Sequence, residues 1–447
     1  MFTGATMQTA TSIDLDPAAI GQGTTSYLYL AAVSVFDQYG IRLDQLDLAT
    51  GTITPGQQFH DNELGAGGMF AFVWHFSDRA ALGGEFRSAP AETFVANRDA
   101  VAYHTLGGGQ RSYRAGVGAS IRIINELYFG LSLSIFDATY LHLHYARDTA
   151  LEAGHGAGGI DSDCNGSPCG VGNLAAQEHY DVNVNSSLFS TSNLVLNLGV
   201  LVELSHDIWL GVGYHAPPGL QVQTELRGTM DVLRAPRDGA TLLHGAASVF
   251  LSQPASADAE LRARLPGKLD LHVGARWEDL SRLSGYDVRG YGTTFFSASI
   301  PEWQLRPRGL HDPFSLWAGV EQVELDRQHD RVQFGARLGI ETSSLRDSET
   351  SPLTIAPFSY TADVGAQGRI GPIRVQATYG IQYFPKVTVT DSGFDPRARI
   401  DCIASNYDYA SAACTAVRNG YGIASADGTY DRLEHAARIA LIYEFGP

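Results

Sequence analysis

The stretch "IRVQATYGIQYF", Ile373 to Phe384, alternates throughout: Ile373, Val375, Ala377, Tyr379, Ile381 and Tyr383 fall on one face, and Arg374, Gln376, Thr378, Gly380 and Gln382 on the other. A period of two is the pattern of a β-strand with one apolar and one polar side. In a soluble sandwich the apolar side would be core and the polar side surface. Nothing within the stretch decides which side meets water; the rest of the chain does.

The same alternation recurs along the sequence. Val332, Phe334, Ala336, Leu338 and Ile340 oppose Gln333, Gly335, Arg337, Gly339 and Glu341, and Leu269, Leu271, Val273, Ala275 and Trp277 oppose Asp270, His272, Gly274 and Arg276. Tyr113 to Arg122, Leu127 to Phe136, Leu194 to Leu204, Ile208 to His215, Phe314 to Glu321 and Ile439 to Phe445 follow suit, and the whole chain yields fourteen candidate strands. Short turns are expected near Ser77 to Arg79, Asn125 to Glu126, Ser205 to Asp207, Asp279 to Arg282, Asp326 to Asp330 and Gly371 to Pro372. Between them lie long polar segments at about 38–66, 90–110, 146–191, 225–257, 290–311, 342–358 and 390–432. Strand pairs joined by tight turns at one end and long loops at the other describe a bacterial outer-membrane barrel, with turns in the periplasm and loops outside. Such a sheet has no open edge in lipid, so it closes and turns its apolar face to hydrocarbon. Aromatics at strand ends, such as Phe76, Tyr214, Trp277, Tyr383, Phe384, Tyr443 and Phe445, suit interfacial girdles. The expected fold is therefore all-β, a 14-stranded antiparallel transmembrane barrel.

Composition agrees. Charged residues make up only 18% of the chain, and 31 Lys and Arg against 48 Asp and Glu leave a net charge of −17, without the basic clusters that nucleic acid requires. No run of 18 apolar residues predicts a transmembrane helix. Met1 is not followed by a basic and then apolar leader, so either the chain is cytosolic or its numbering begins after a leader is removed. The cysteines favour the second option. Cys164 with Cys169 and Cys402 with Cys414 are close pairs in polar loops, read as two local disulfides in an oxidising compartment, with idle thiols as the alternative. Zinc is disfavoured by their spacing.

With these segments in order, the chain resembles the FadL family of outer-membrane long-chain fatty acid and hydrocarbon transporters. The resemblance rests on "GGMFAFVWHFSDRAALGGEF", "YRAGVGASIRIINELYFGLSLSIF", "LVLNLGVLVELSHDIWLGVGY", "RLPGKLDLHVGARW" and "DPFSLWAGVEQVELDRQHDRVQFGARLGIE", preceded by "GATMQTATSIDLDPAAIG". In the last, Asp16, Pro17 and Ala18 stand where the family carries an Asn-Pro-Ala motif in an N-terminal hatch, so the resemblance implies a hatch over residues 1–24 inside a barrel of residues 25–447. It implies a monomer without cofactor that captures hydrophobic molecules at the outer loops and releases them sideways into the bilayer through a kink of the third strand. Here that strand runs into Ser88, Ala89 and Pro90, and Pro90 lacks the N–H a central strand donates. Its surroundings would be outer-membrane lipid and lipopolysaccharide. A general porin with an aqueous lumen is the alternative, and an outer-membrane enzyme or adhesin a third class.

The resemblance also places Arg306 and His144 at basic head-group positions, with His142 sharing a face with His144. A lumen charge paired with an acid is the plainer alternative for them. Tyr128, Phe136, Val195, Leu201, Trp209 and Trp317 are apolar where alternation predicts polar inward positions, as expected for an apolar lumen lining or for packing against the hatch. Other signals are weak. "HLHYARD" offers two histidines without a third metal ligand, and "DSDCNGS", Asp161 to Ser167, starts like a calcium loop but reaches Gly172 where Glu is needed. No Ser, His and acid set suggests catalysis, so neither an enzyme nor a metal protein is expected.

Overall fold

The computed structural model describes residues 1–47, 52–96, 101–149, 181–190, 194–217, 224–251, 253–283, 285–291, 295, 298, 300–322, 332–408 and 410–445. Its first strands are β1 (Ser26–Asp47), β2 (Thr52–Ser77), β3 (Ala80–Ser88), β4 (Glu92–Thr93), β5 (Gly107–Ile124), β6 (Leu127–Asp148) and β7 (Asp181–Ser190). Then come β8 (Val195–Ser205), β9 (Ile208–His215), β10 (Thr224–Leu233), β11 (Leu242–Leu251), β12 (Ser256–Leu265), β13 (Leu269–Glu278) and β14 (Gly285–Gly290). The last are β15 (Trp303–Pro307), β16 (Phe314–Gln322), β17 (Val332–Glu341), β18 (Ser359–Ile370), β19 (Ile373–Val389) and β20 (Gly428–Phe445).

Fourteen of these strands form a closed antiparallel ring in the order β1, β2, β3, β5, β6, β8, β9, β12, β13, β16, β17, β18, β19, β20. Pairing of β1 with β20, from Ser26↔Phe445 to Leu43↔Gly428, closes it. Closure removes the two free end strands that an open sheet would present to hydrocarbon. The outer face carries the apolar side: Ile373, Tyr379, Ile381 and Tyr383 of the stretch quoted above are exposed, whereas Gln376 is 3% exposed and points inward. Leu338, Val364 and Ile439 continue the belt on neighbouring strands. Exposed apolar surface of this extent is that of a transmembrane barrel.

Three features differ from the reading of the sequence. The turn between β12 and β13 is Pro266 to Lys268, with Gly267 at φ 90° and Lys268 at φ 66°, and Asp279 to Arg282 opens a long loop instead. Asp326 to Asp330 lies outside the described residues. Several expected loops are also strand-rich. The β1–β2 ladder continues from Gln38↔Asn62 to Asp47↔Thr52, and β6 pairs with β8 over Leu127 to Ser134 but with β7 over Thr139 to Asp148. From that fork β7, β10, β11, β14 and β15 build a second sheet at the loop end of the barrel. Its core is Leu141, Leu143, Tyr145, Val184, Leu226, Val249 and Tyr286 with their neighbours. The third is a bulge. Ala115 pairs with Phe136 and Gly116 with Ser134, so Ile135 and Phe136 both stand on the outer face. Phe136 is therefore no part of the lumen lining; one extra residue in β6 reverses its side.

Candidate functional site

The chain's own N-terminal segment packs against the inner face of the barrel wall. Residues ahead of β1 hold a short helix at Ser12–Leu15 and a 3-10 turn at Ala19–Gly21, and most of their side chains are buried. Inward glycines on three adjacent strands make room for them. Gly130 of β6 pairs with Gly199 of β8, which pairs with Gly213 of β9. A Cβ at Gly130 would stand 2.0 Å from the Ala18 nitrogen, one at Gly199 1.9 Å from Asp16 Oδ1, and one at Gly213 1.9 Å from the Leu15 carbonyl oxygen. Only glycine allows this approach of backbone to backbone.

Polar groups of the wall then hold the segment. Asp16 Oδ1 accepts the Ala18 N–H at 3.0 Å, and Ser120 donates to the Ala18 carbonyl at 2.9 Å. Glu321 accepts the Phe2 N–H at 2.8 Å, Glu260 accepts that of Thr6 at 3.2 Å, and Arg262 donates to Gln22 Oε1 at 3.2 Å. Asp14 sits at the centre of the strongest cluster. It receives Arg87 of β3 at 2.5 Å, Arg114 of β5 at 2.9 Å and the Asn197 amide of β8 at 3.2 Å. His215 joins Asn197 to Asp258 in the same network.

Of the inward apolar residues singled out by alternation, Tyr128, Leu201 and Trp209 pack together on Ala18. Val195 is buried beside a cavity of about 250 Å³ whose wall includes Asp14, Arg87, Gln110 and Arg114. Trp317 donates to Glu260 at 3.3 Å and borders a second cavity of about 300 Å³. These two spaces are lined by charged and polar groups as well as apolar ones, so the apolar inward residues serve packing more than an open apolar tube.

The wall itself is interrupted beside the first cavity. The β2–β3 ladder ends at Gly68↔Ser88, and Ala89 to Ala91 cross close over β2. A Cβ at Gly67 would lie 2.4 Å from the Ser88 carbonyl oxygen, and one at Gly65 2.5 Å from that of Ala91. On the other side the chain keeps its bond to β5 through the Ala89 N–H and β4. On the β2 side, among the described residues, no backbone hydrogen bond spans from Gly67 to Asp61, where the Asp61 carboxylate accepts the Ala96 N–H at 2.8 Å. Pro90 falls within that gap.

Arg306 and the two histidines lie elsewhere, in the second sheet. Arg306 is buried, stacks its guanidinium over Tyr145 at 4.1 Å and donates to the backbone carbonyls of Tyr103 and His104. Burial lowers its pKa from the usual value; the same burial, aided by the Arg306 charge, brings His104 down to about 3, so His104 is neutral. His142 and His144 alternate with Leu141, Leu143 and Tyr145 along β6 and face the other way, with His142 bonded to Asn185 at 2.6 Å. The structure thus separates Arg306 from His142 and His144. Cys402 and Cys414 form a disulfide joining the helices Arg397–Ala404 and Ala412–Arg418; Cys164 and Cys169 lie outside the described residues.

The architecture matches solved barrels. The chain aligns over 99% of its length with 96% of a FadL homologue from Pseudomonas aeruginosa, at a TM-score of 0.76 and 14% identity. The chain has the FadL fold. The FadL fold also describes its match to the toluene transporter TodX of P. putida, with TM-score 0.63 at 11% identity over 100% of this chain and 96% of that one. The toluene transporter TbuX of Ralstonia pickettii matches at 0.61 and 15% identity, over 99% and 96%. No family model and no curated protein matches the sequence itself. Sequence reasoning missed Asp14, Arg87 and the glycine row; the sign of the last was a glycine in each of "YFGLS", "NLGVL" and "GVGY".

Proposed function

We propose that this protein is an outer-membrane transporter for passive uptake of hydrophobic compounds, fatty acids or hydrocarbons, with residues 1–24 acting as a hatch and Ser88, Ala89 and Pro90 marking a lateral exit. The observation that carries this reading is the pairing of a segment seated inside the barrel with a broken wall. A molecule travelling along the axis meets the segment wedged on Gly130, Gly199 and Gly213, while the interruption of the wall ladder between β2 and the chain after β3 lies beside a cavity next to that segment. An apolar molecule passing sideways enters hydrocarbon directly and avoids the aqueous periplasm. The neighbours named as hydrocarbon and toluene transporters support the same direction. The ring closes without a partner strand, which supports a monomer surrounded by outer-membrane lipid and lipopolysaccharide.

The gap can be locked. Asp61→Cys with Ala96→Cys places two thiols across its far end, where the Asp61 carboxylate now reaches the Ala96 N–H at 2.8 Å. Uptake of radiolabelled oleate or toluene by cells carrying the oxidised pair is expected to stop and to return on reduction. Undiminished uptake with the gap shut would overturn lateral exit. Large steady ion conductance of the unmodified protein would instead support the aqueous porin.

A further inference from the structure

The second sheet buries one face and exposes the other. Leu141, Leu143, Tyr145 and Val184 belong to its inner core, and the outer face alternates with them along the same strands. On that outer face the registers align one residue per strand into a single row. Arg111 of β5 stands opposite Tyr140 of β6, followed by Phe189 of β7, Arg227 of β10, Ser248 of β11 and Arg289 of β14. The row ends on Trp303 of β15. Six strand spacings of about 4.8 Å make it roughly 29 Å long. Directly opposite residues share a face, so arginines and aromatic rings stand side by side along it.

This row continues the lipid-facing belt. On β6, Phe136 is exposed in the belt, and Tyr140 is exposed on the same side four residues on, about 13 Å further along the strand. The surface that meets acyl chains at Phe136 therefore meets, at Tyr140, the head group those chains carry. In the outer leaflet of such a membrane that head group is phosphorylated saccharide. The chemistry of the surface changes at the same level. Leu198, Val200, Val212 and Leu261 of the belt are aliphatic, whereas the row sets guanidinium groups beside Tyr140, Phe189 and Trp303, all exposed. Arg227 pairs with Glu225 at 2.7 Å and Arg289 with Asp287 at 2.7 Å, each within its own strand, and Arg289 also stacks on Phe250 at 4.4 Å. Exposed pairs of this kind are weak, so they extend the arginines over the sheet and still admit a phosphate. Asp231 on the same face is bonded to His244, and Arg111 reaches the Tyr113 hydroxyl at 3.4 Å. The face thus balances three arginines against three carboxylates in a chain of net charge −17, which removes locally the repulsion an anionic partner would meet elsewhere.

We infer that this row is a docking surface for the phosphorylated core saccharide of a neighbouring lipopolysaccharide molecule. Arg111, Arg227 and Arg289 meet its phosphates, because the planar guanidinium fork matches phosphate oxygens. Tyr140, Phe189 and Trp303 lie under its sugar rings and offer them flat apolar faces with polar edges. Ser187 and Thr229, opposite each other in the next row, add hydroxyls. The inference rests on the outer-membrane reading and turns a surrounding lipid into a bound partner.

Native mass spectrometry of the protein in detergent reads both bound lipid and copy number. The protein is titrated with rough lipopolysaccharide bearing a phosphorylated core, with the same lipopolysaccharide after removal of its core phosphates, with lipid A and with phosphatidylglycerol. Saturable binding of the phosphorylated lipopolysaccharide is expected, about tenfold tighter than that of the other three. Arg111→Gln, Arg227→Gln and Arg289→Gln should each weaken it about fivefold, the worth of one arginine near an anionic membrane surface. Arg397→Gln, at an exposed arginine of the helix pair, should leave it unchanged. Every variant must keep the mobility of a folded barrel in an unheated detergent gel. Equal binding of lipid A or phosphatidylglycerol, undiminished binding by the triple arginine variant, or a dimer that the triple variant dissolves would overturn the inference. The titration measures binding at the outer surface and the locked gap measures uptake, so either result can fail while the other stands.

Discussion

Replacing Gly130 by alanine tests whether the N-terminal segment closes the lumen through its seat on the wall. The new Cβ would lie 2.0 Å from the Ala18 nitrogen and 2.1 Å from the Pro17 carbonyl carbon, whereas ordinary contact begins at 3.4 Å. Pro17 and Ala18 must therefore withdraw by about 1.4 Å, the difference between 2.0 and 3.4 Å. Backbone cannot rotate aside as a long side chain can, and overpacking of this kind costs roughly 1–3 kcal/mol. A displacement favoured by that amount raises the population of the unseated segment about five- to 150-fold. Two milder variants grade the effect. A Cβ at Gly83 meets Ile13 Cδ1 at 2.7 Å, and one at Gly118 meets Ile13 Cγ2 at 3.2 Å, both flexible side-chain atoms. Single-channel recording in planar bilayers should show rare openings for the native protein, unchanged for Gly118→Ala, more frequent for Gly83→Ala and most frequent for Gly130→Ala. Each variant must first retain the mobility of a folded barrel in an unheated detergent gel. A closed Gly130→Ala channel, or openings in Gly118→Ala as frequent as in Gly130→Ala, would refute the reasoning.

Three further outcomes follow from the contacts. Asp14→Ala leaves Arg87 and Arg114 without their shared carboxylate, a loss of about 1.5–3 kcal/mol with Arg87 a third exposed and Asp137 still near Arg114, and channel openings should rise as they do for Gly130→Ala. Removing the bridge with Cys402→Ser and Cys414→Ser, which are 12 residues apart, should destabilise the helix pair by about 3 kcal/mol and expose it to limited proteolysis while the barrel stays folded. The buried His104, held down to about 3 by desolvation and by Arg306, stays neutral in the folded loops and takes up a proton below about 6.5 when they unfold. Loop stability is therefore complete above that value and declines as pH falls toward 3, at up to about 1.4 kcal/mol per unit; thermal scans of Trp303 fluorescence should show the decline, and His104→Phe should flatten it.

The barrel was legible because lipid imposes one rule on every strand that crosses it: an apolar residue at each second position. Where that rule ends, legibility ends. Above the membrane both faces of β1 and β2 meet water or other loops, alternation fades from Gln38 and before Gly65, and the ladder nonetheless runs on to Asp47↔Thr52. The second sheet hid in the same way, since its strands bury one face against each other rather than against lipid. Asp279 to Arg282 resembles a turn because it is short and polar, yet Gly267 and Lys268, after Pro266, carry the left-handed backbone a tight reversal needs. The bulge at Ile135 was invisible for another reason: one inserted residue leaves "LSIFDA" looking like an ordinary strand while exchanging the sides of Phe136 and Asp137.

Arg306 illustrates what resemblance and alternation each omit. Comparison of segments singles out Arg306 as a basic head-group position, but its neighbours are not legible that way, because Tyr103, Tyr145 and Gln304 come from three separate loop-end segments that only the folded loops bring together. The glycine cradle makes the same point within the barrel. Gly130, Gly199 and Gly213 are 69 and 14 residues apart, and nothing local distinguishes them from glycines that merely relieve crowding in a strand. They become one seat only when two registers are known, Gly130↔Gly199 and Gly199↔Gly213. A slip of one residue in β8 would put Leu198 or Val200 on the inner face against Asp16 and Pro17 and leave the segment no place to lie. The register that lipid enforces on the outside therefore also fixes the seat on the inside, and the N-terminal segment is bound by the same alternation that places the belt in hydrocarbon.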